Sequence, residues 1–423
     1  MNRIFNVIWS KTKEQWIVVS ERVKTNGCVP KSPLRSIAVL AAMFLAGEPA
    51  FALDPDALPA GGQITAGSGN IAVSGARMTV NQSSQQMIAN WNSFNIGSSA
   101  AVQFNQPNAA SSALNRITDQ NPTQIMGSLS ANGKVFLVNP AGVIFGKTAR
   151  VDVGGITASS LNMLDSDFLA GKYSFTNSGS AGPVINQGLL NAMPGGVVAL
   201  LAPRASNEGT ITTPGGSAAL AAGNQVSIDF RGDGLINLTI DQSAVDALAE
   251  NKGLIKADGG LVVMTAKAAD ALTQQVLSNS GVLEANTFVE REGRIILDGG
   301  ESGVTQSTGT ITAKGVNPGD VGGTVVMTGD KVGLFDSAIV DVSGEAGGGT
   351  VSIGGGFQGK DASVLNAGAT VVGTDVKISA DAIDAGNGGK VVLWSNDHTA
   401  FGGGISARGG SVSGDGGFVE VSS

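Results

Sequence analysis

Beyond residue 180 one phrase of polar and apolar positions keeps returning: two glycines, then an apolar residue at every second position, then a small one. It opens at Gly195-Gly196 with Val198, Leu200 and Ala202 and returns at Gly215-Gly216 with Ala218 and Leu220. Further copies are Gly259-Gly260 with Val262 and Met264, Gly322-Gly323 with Val325 and Met327, and Gly348-Gly349 with Val351 and Ile353. Gly388-Gly389 with Val391 and Leu393, and Gly416-Gly417 with Val419 and Val421, complete the series. A second phrase, Asn or Ser, any, Gly, any, Ile or Leu, any, Ala, runs from Asn186 to Ala192, Asn251 to Ala257, Asn279 to Ala285 and Ser307 to Ala313. Period-two alternation puts the apolar side chains on one face, as a half-buried strand requires. Gly, and to a lesser degree Asn, reach the backbone angles that corners demand.

Each unit therefore supplies two short strands separated by turns, and a strand repeated once per coil stacks on its own counterpart. The expected fold is all-β: a right-handed parallel β-helix, a solenoid with an N-terminal cap. Successive Gly-Gly pairs are 20, 44, 63, 26, 40 and 28 residues apart, and the long gaps are expected to hold more than one turn. At about 25 residues per coil the 371 residues after position 52 would make about 15 coils, on the order of 70 Å at the ~4.8 Å spacing between strands. Ala202, Ala218, Ala266 and Gly329 suit tight interior positions. An open coil end exposes unpaired strand edges, so residues 53 to about 80, with Ile64, Ile71, Val73, Met78 and Val80, are the candidate cap. An antiparallel β-sandwich would instead require frequent hairpin signals.

The N-terminus follows another rule. Residues 37–46, IAVLAAMFLA, are continuously apolar, preceded by Lys31 and Arg35 and followed by Ala50-Phe51-Ala52. A basic region, a short apolar core and a small-x-small site form a signal peptide, with cleavage after Ala52 and Leu53 as the mature start. The apolar run is too short to span a bilayer, which takes about 20 residues.

Composition narrows the chemistry. Only 14% of residues are charged, against roughly 25% in an ordinary soluble domain, while 62 are glycine. Residues 1–52 hold seven Lys or Arg and three acids, which leaves nineteen bases and thirty-one acids beyond them, a net charge of −12. A body this acidic repels phosphates, so no nucleic-acid partner is expected. The single cysteine, Cys28, lies in the segment expected to be removed, and the single histidine, His398, excludes ligand sets with several imidazoles. Neither a metal nor a cofactor is expected. The Gly-Gly-x-Gly-x-Asp nonapeptide of calcium-binding solenoids does not recur in tandem, and no Gly-Lys-Ser/Thr ending marks a phosphate loop.

The remaining motifs carry a resemblance. The long stretch before the apolar core, MNRIFNVIWSKTKEQWIVVSERVKTNG, is similar to the extended signal peptide region of large autotransporters and two-partner secretion exoproteins of Gram-negative bacteria. Between residues 81 and 165 the Gly-Gly phrase is absent. The segments Trp91-Asn92-Ser93-Phe94-Asn95-Ile96-Gly97, Phe104-Asn105-Gln106-Pro107 and Asn139-Pro140-Ala141-Gly142-Val143-Ile144-Phe145-Gly146 resemble the haemagglutination activity domain of filamentous haemagglutinin-like exoproteins. Locally, Val135 to Val138 read as a strand, Asn139-Pro140 as a turn, Gly142 as a left-handed position and Val143 to Phe145 as the next strand. Ala141 stands where the family often has a second Asn.

The resemblance implies three segments: a cleaved extended signal peptide (1–52), a secretion domain on a capped β-helix (53–300), and further coils (301–423) of an exoprotein that is expected to be truncated. It implies export by the inner-membrane general secretion machinery and then by a dedicated outer-membrane β-barrel transporter. Asn105, Asn139, Pro140, Gly142 and Gly146 are then the residues of a transporter-recognition or folding motif. The product is expected to be secreted or at the cell surface, to act in adhesion toward host or neighbouring-cell receptors or glycans, and not to be an enzyme. The alternatives are a β-helical polysaccharide-active enzyme, for which Asp229, Asp233, Asp241 and Asp246 are the candidate carboxylates, and the delivery stalk of a contact-dependent toxin. Arg231-Gly232-Asp233 spells a receptor-binding tripeptide but reads as an accident of a Gly- and Asp-rich loop. His398 reads as a solvated turn residue.

Overall fold

The computed structural model describes residues 5–10, 15–20, 53–230, 235–269, 275–288 and 291–423. Two compact units are distinguished, Met1–Ala52 and Leu53–Ser423. In the first, strands Phe5–Ser10 and Gln15–Ser20 pair antiparallel, Phe5 opposite Ser20. The Ala50 and Ala52 cleavage site and the Arg231-Gly232-Asp233 triplet lie outside the described residues.

The second unit is a parallel β-helix. Each coil visits three sheets in turn, as in Lys134–Val138, Val143–Phe145 and Arg150–Val153, before Gly155–Ser159 begins the next coil on top of Lys134–Val138. Among the described residues, the sheet containing Lys134–Val138 and the sheet containing Arg150–Val153 have thirteen strands each, and the one containing Val143–Phe145 has ten. We call them the first, third and second sheets in the order the chain visits them. The expected cap is present. Gln63–Ala66 pairs antiparallel with Gln86–Trp91, and Gly69–Ser74 with Arg77–Gln82, before parallel stacking begins at Arg77–Gln82 on Ala101–Asn105. Met78 and Val80 are buried there, whereas Val73 is 59% exposed on the outer hairpin.

The two repeated phrases are the corners. Asn-x-Gly turns the chain from the second sheet to the third, and Gly-Gly turns it from the third to the first. Both glycine series stack. A Cβ on Gly216 would strike the Gly196 carbonyl, one on Gly260 that of Gly216, and one on Gly349 that of Gly323. In the other series the same holds for Gly209 over Gly188 and Gly253 over Gly209. At the Asn position a buried amide ladder climbs the rod. Asn186 Nδ2 donates to Asn207 Oδ1, Asn207 Nδ2 to Asn251 Oδ1, and Asn251 Nδ2 to Asn279 Oδ1, each at 2.8 Å. Asn279 Nδ2 then donates to Ser307 Oγ at 3.0 Å. All five side chains are buried. Asn207, in a phrase ending in Thr213 rather than Ala, belongs to the ladder and was not singled out from the sequence.

Three expectations are corrected. The 44-residue gap holds one coil, because Leu261–Ala266 stacks directly on Ser217–Ala222. The 40-residue gap also holds one, with Lys390–Trp394 directly on Thr350–Ile353; only the 63-residue gap holds two, by way of Arg294–Asp298. Insertions consume the extra chain, so thirteen-strand sheets give about twelve steps, on the order of 58 Å at the ~4.8 Å spacing, rather than fifteen coils. Finally, Val197–Ala202, Ser217–Ala222 and Leu261–Ala266 are buried at all six positions rather than on alternate ones.

The cause of the last correction is a second core. A three-stranded antiparallel sheet, Tyr173–Thr176, Gln225–Phe230 and Ile236–Gln242, together with the short helix Asp165–Leu169, covers part of the outer face of the first sheet. Phe168, Phe175, Val226, Ile228, Ile236 and Ile240 of this cover pack on Ile88, Leu114, Phe136, Val138, Ala199, Leu201 and Val263. Phe136 stacks on Tyr173 at 5.2 Å between ring centres and meets Phe168 edge-on at 5.6 Å. Past the cover, alternation returns in Arg294–Asp298 and over the first four residues of Thr324–Thr328.

Near the C-terminal coils the buried Asp381 carboxylate accepts from Ser406 Oγ (2.6 Å), from the Arg408 backbone (2.7 Å) and from Arg408 Nη2 (2.7 Å). Burial alone would raise its pKa; the hydrogen bonds from Arg408 and Ser406 outweigh that and hold it below the ordinary carboxylate range. A depressed carboxylate stabilises the fold fully above its unfolded pKa of about 3.9 and ceases to do so as the pH falls through the lower folded value. Asp381→Asn is therefore expected to lower the denaturant midpoint at pH 7, and the gap from wild type should narrow steadily below about pH 4. An equal gap at pH 7 and at pH 2 would contradict this assignment.

Candidate functional site

Asn139 closes the strand Lys134–Val138 and is fully buried. Its Nδ2 donates to the Asn121 carbonyl and to Thr123 Oγ1, both at 3.0 Å, and its Oδ1 accepts from the Ala141 amide at 2.9 Å. The side chain thus joins two successive coils and closes an Asx turn over Pro140. Gly142 takes φ +113°, and a Cβ there would strike the Pro183 carbonyl of the next coil. Gly146 is the foot of a glycine series: a Cβ on it would strike Met126 Sδ, and its own carbonyl is what a Cβ on Gly188 would strike. The Pro140 ring is exposed, while its carbonyl accepts from the Gly182 amide of the next coil at 2.8 Å.

Pro140 and Ala141 line a cleft of about 410 Å³ with Arg116, Asp119, Ser178 and Ser180. Arg116 pins its wall, donating to Asp165 (2.5 Å), to the Met163 carbonyl (2.5 Å) and to Asn162 Oδ1 (3.4 Å). An ion pair this exposed contributes at most about 1 kcal/mol, but three acceptors fix where the guanidinium sits. Asp119 Oδ1 accepts from the Asn121 amide at 3.0 Å and shapes the loop on the other side.

Asn105 is not part of this cleft. It ends the strand Ala101–Asn105 in the third sheet, is exposed, and donates to Asn81 Oδ1 at 2.8 Å. The buried member of its motif is Gln106, whose Nε2 donates to Gln82 Oε1 (3.0 Å) and whose Oε1 accepts from the Gly133 amide (3.0 Å). In the Trp91–Gly97 motif, Trp91 Nε1 donates to Asn115 Oδ1 (3.0 Å), Trp91 meets Phe94 edge-on at 5.2 Å, and Asn95 Oδ1 accepts from the Gln124 amide (2.8 Å). Gln82, Gln106 and Asn115 carry coil-to-coil bonds that no repeated phrase announces.

The carboxylates considered for catalysis do not converge in the described structure. Asp229, Asp241 and Asp246 are exposed, with Asp229 and Asp241 on the antiparallel cover, where Asp241 accepts from Ser227 Oγ at 2.6 Å; Asp233 lies outside the described residues. His398 is exposed at the start of the strand His398–Phe401, not in a turn. Leu53 begins the second unit.

The chain matches the family model described as TPS secretion domain over residues 56–313, and that described as Extended Signal Peptide of Type V secretion system over residues 1–47. It is 31% identical over 247 residues to a heme/hemopexin-binding protein of Haemophilus influenzae strain Rd, a match that covers 57% of this chain and 27% of that protein. A second heme/hemopexin-binding protein of Haemophilus influenzae is 27% identical over 242 residues, with 52% and 26% covered. The chain thus spans about a quarter of the length of these relatives. The crystal structure of the HMW1 secretion domain from Haemophilus influenzae superimposes with a TM-score of 0.76 at 31% identity, covering 86% of this chain and 94% of that one.

Proposed function

Because this chain belongs to the two-partner secretion exoproteins, secreted across the outer membrane to the cell surface or beyond, we propose that residues 53–300 are the part engaged by a dedicated outer-membrane β-barrel transporter. The observation that carries this reading is the split within the family motif between what builds the corner and what a partner can touch. Asn139, Gly142 and Gly146 are buried and hold successive coils together; Pro140, on its cleft, and Asn105, on the third sheet, face solvent. In this reading the transporter reads the exposed Asn105 and Pro140 surfaces, and the buried three act by giving those surfaces their shape. Cleavage follows Ala52, coils 301–423 extend the rod, and the surface role is adhesion rather than catalysis.

Secretion should therefore fail in two distinguishable ways in a Gram-negative host that co-expresses the transporter. Asn139→Ala loses three hydrogen bonds and leaves the buried Thr123 hydroxyl without its Asn139 partner, so the refolded chain should be less stable by about 2 kcal/mol. Asn105→Ala together with Pro140→Ala should leave stability within about 0.5 kcal/mol of wild type and still reduce transporter-dependent release. Normal release of that double variant, or release of the native chain with no transporter present, would refute the proposal.

A further inference from the structure

A second cleft, of about 380 Å³, opens where the covering sheet ends on the outer face of the first sheet. The glycine corners shape it: Gly155, Gly195 and Gly196 line it without side chains, and Phe136 and Val197, on the outer face of the first sheet, form apolar wall beside them. Phe230, at the end of the covering strand, closes one side, and Met193, 47% exposed, borders the other. Among the described residues lining it, one is a cation. Lys134 Nζ lies 4.8 Å from the centre of the Phe230 ring. Among the described residues no carboxylate pairs with it and no acceptor hydrogen-bonds its amine, and burial pulls its pKa down. Lys256, by contrast, sits between Asp258 and Glu284.

An ammonium half withdrawn from water has lost solvation that a cation–π contact restores only in part. The complement of such a cleft is an anion on an apolar body, and its volume lies within the range of small-molecule sites. We propose that this cleft binds an amphipathic monocarboxylate, its apolar chain laid along Phe136, Val197 and Phe230 and its carboxylate paired with Lys134. The cleft lies on the side of the first sheet away from the rod's interior core and does not share residues with the Pro140 cleft, so the proposal stands apart from transporter recognition.

The test is calorimetric titration of the purified chain with sodium laurate, below its micellar range, against dodecanol and dodecyltrimethylammonium as probes with the same tail. Laurate should bind at one saturable site and more tightly than either control. Lys134→Met and Lys134→Gln should each weaken laurate about tenfold, the scale of one lost charge-assisted hydrogen bond, with dodecanol affinity unchanged and the circular dichroism spectrum retained. Lys134→Arg should keep laurate binding. Absence of saturable laurate binding, equal affinity for laurate and dodecanol, or undiminished laurate binding by folded Lys134→Met or Lys134→Gln would each overturn the proposal.

Discussion

Gly260→Val is expected to destabilise the rod by roughly 5 kcal/mol or more, the range reserved for a clash that nothing can relieve. The first atom the new Cβ meets is the Gly216 carbonyl oxygen, with the Gly216 backbone behind it. Neither strand can back away, because Leu261–Ala266 and Ser217–Ala222 are hydrogen-bonded in register to each other and to further strands on both sides. A flexible side chain could swing aside; a sheet backbone cannot. Gly404→Ala is the control: nothing lies within 4 Å of its Cβ direction, and the change should fall within about 0.5 kcal/mol. Chemical denaturation of the two variants checks both, and a valine variant within about 1 kcal/mol of wild type would remove the glycine series as a source of stability.

Asn251→Leu is the second large effect, at about 3 kcal/mol. The substitution conserves bulk but removes the acceptor of Asn207 Nδ2 and the donor to Asn279 Oδ1. Both neighbours stay buried, and a buried polar atom left without a partner costs on the order of 1–3 kcal/mol. Since stability in a solenoid is close to a sum of unit and interface terms, the loss should fall on the two interfaces flanking this coil. Hydrogen exchange is the discriminating measurement: faster exchange should centre on the Asn207, Asn251 and Asn279 coils and leave the cap, at Arg77–Gln82, as protected as in wild type. A uniform rise along the rod would argue against a local ladder.

Much of this architecture is legible in the sequence because solenoid physics repeats. A glycine pair followed by alternating apolar residues announces corner and strand together, and the Asn of the second phrase is spelled out at four of the five rungs if Ser307 is included. Asn207 escaped because the phrase was read with Ala at its end and this copy has Thr213. The covering sheet escaped for a different reason. Its signal is present as an interruption of alternation, in VVALLA at 197–202 and AALAA at 218–222, continuous apolar runs that mark strands buried on both faces. Those runs say that something lies on the outer face but not what, and the segments that do so, Tyr173–Thr176, Gln225–Phe230 and Ile236–Gln242, have no repeat to identify them. The same insertions misled the coil count, since gap length alone does not tell chain spent on a detour from chain spent on another turn. At the family motif, sequence placed the corner correctly, but which of its residues faces water depends on the coils stacked above and below.

The amide column has a consequence for how the chain finds its register. Read along the second sheet, the stacked positions are Ile125, Phe145, Asn186, Asn207, Asn251, Asn279, Ser307, Leu334 and Val372. The column is polar from Asn186 to Ser307 and apolar below and above it, so a strand of the Leu334 or Val372 coil that docked within the polar stretch would leave a buried amide without its partner. The ladder thus marks which block of coils a strand belongs to, while within the block one amide rung can stand in for the next.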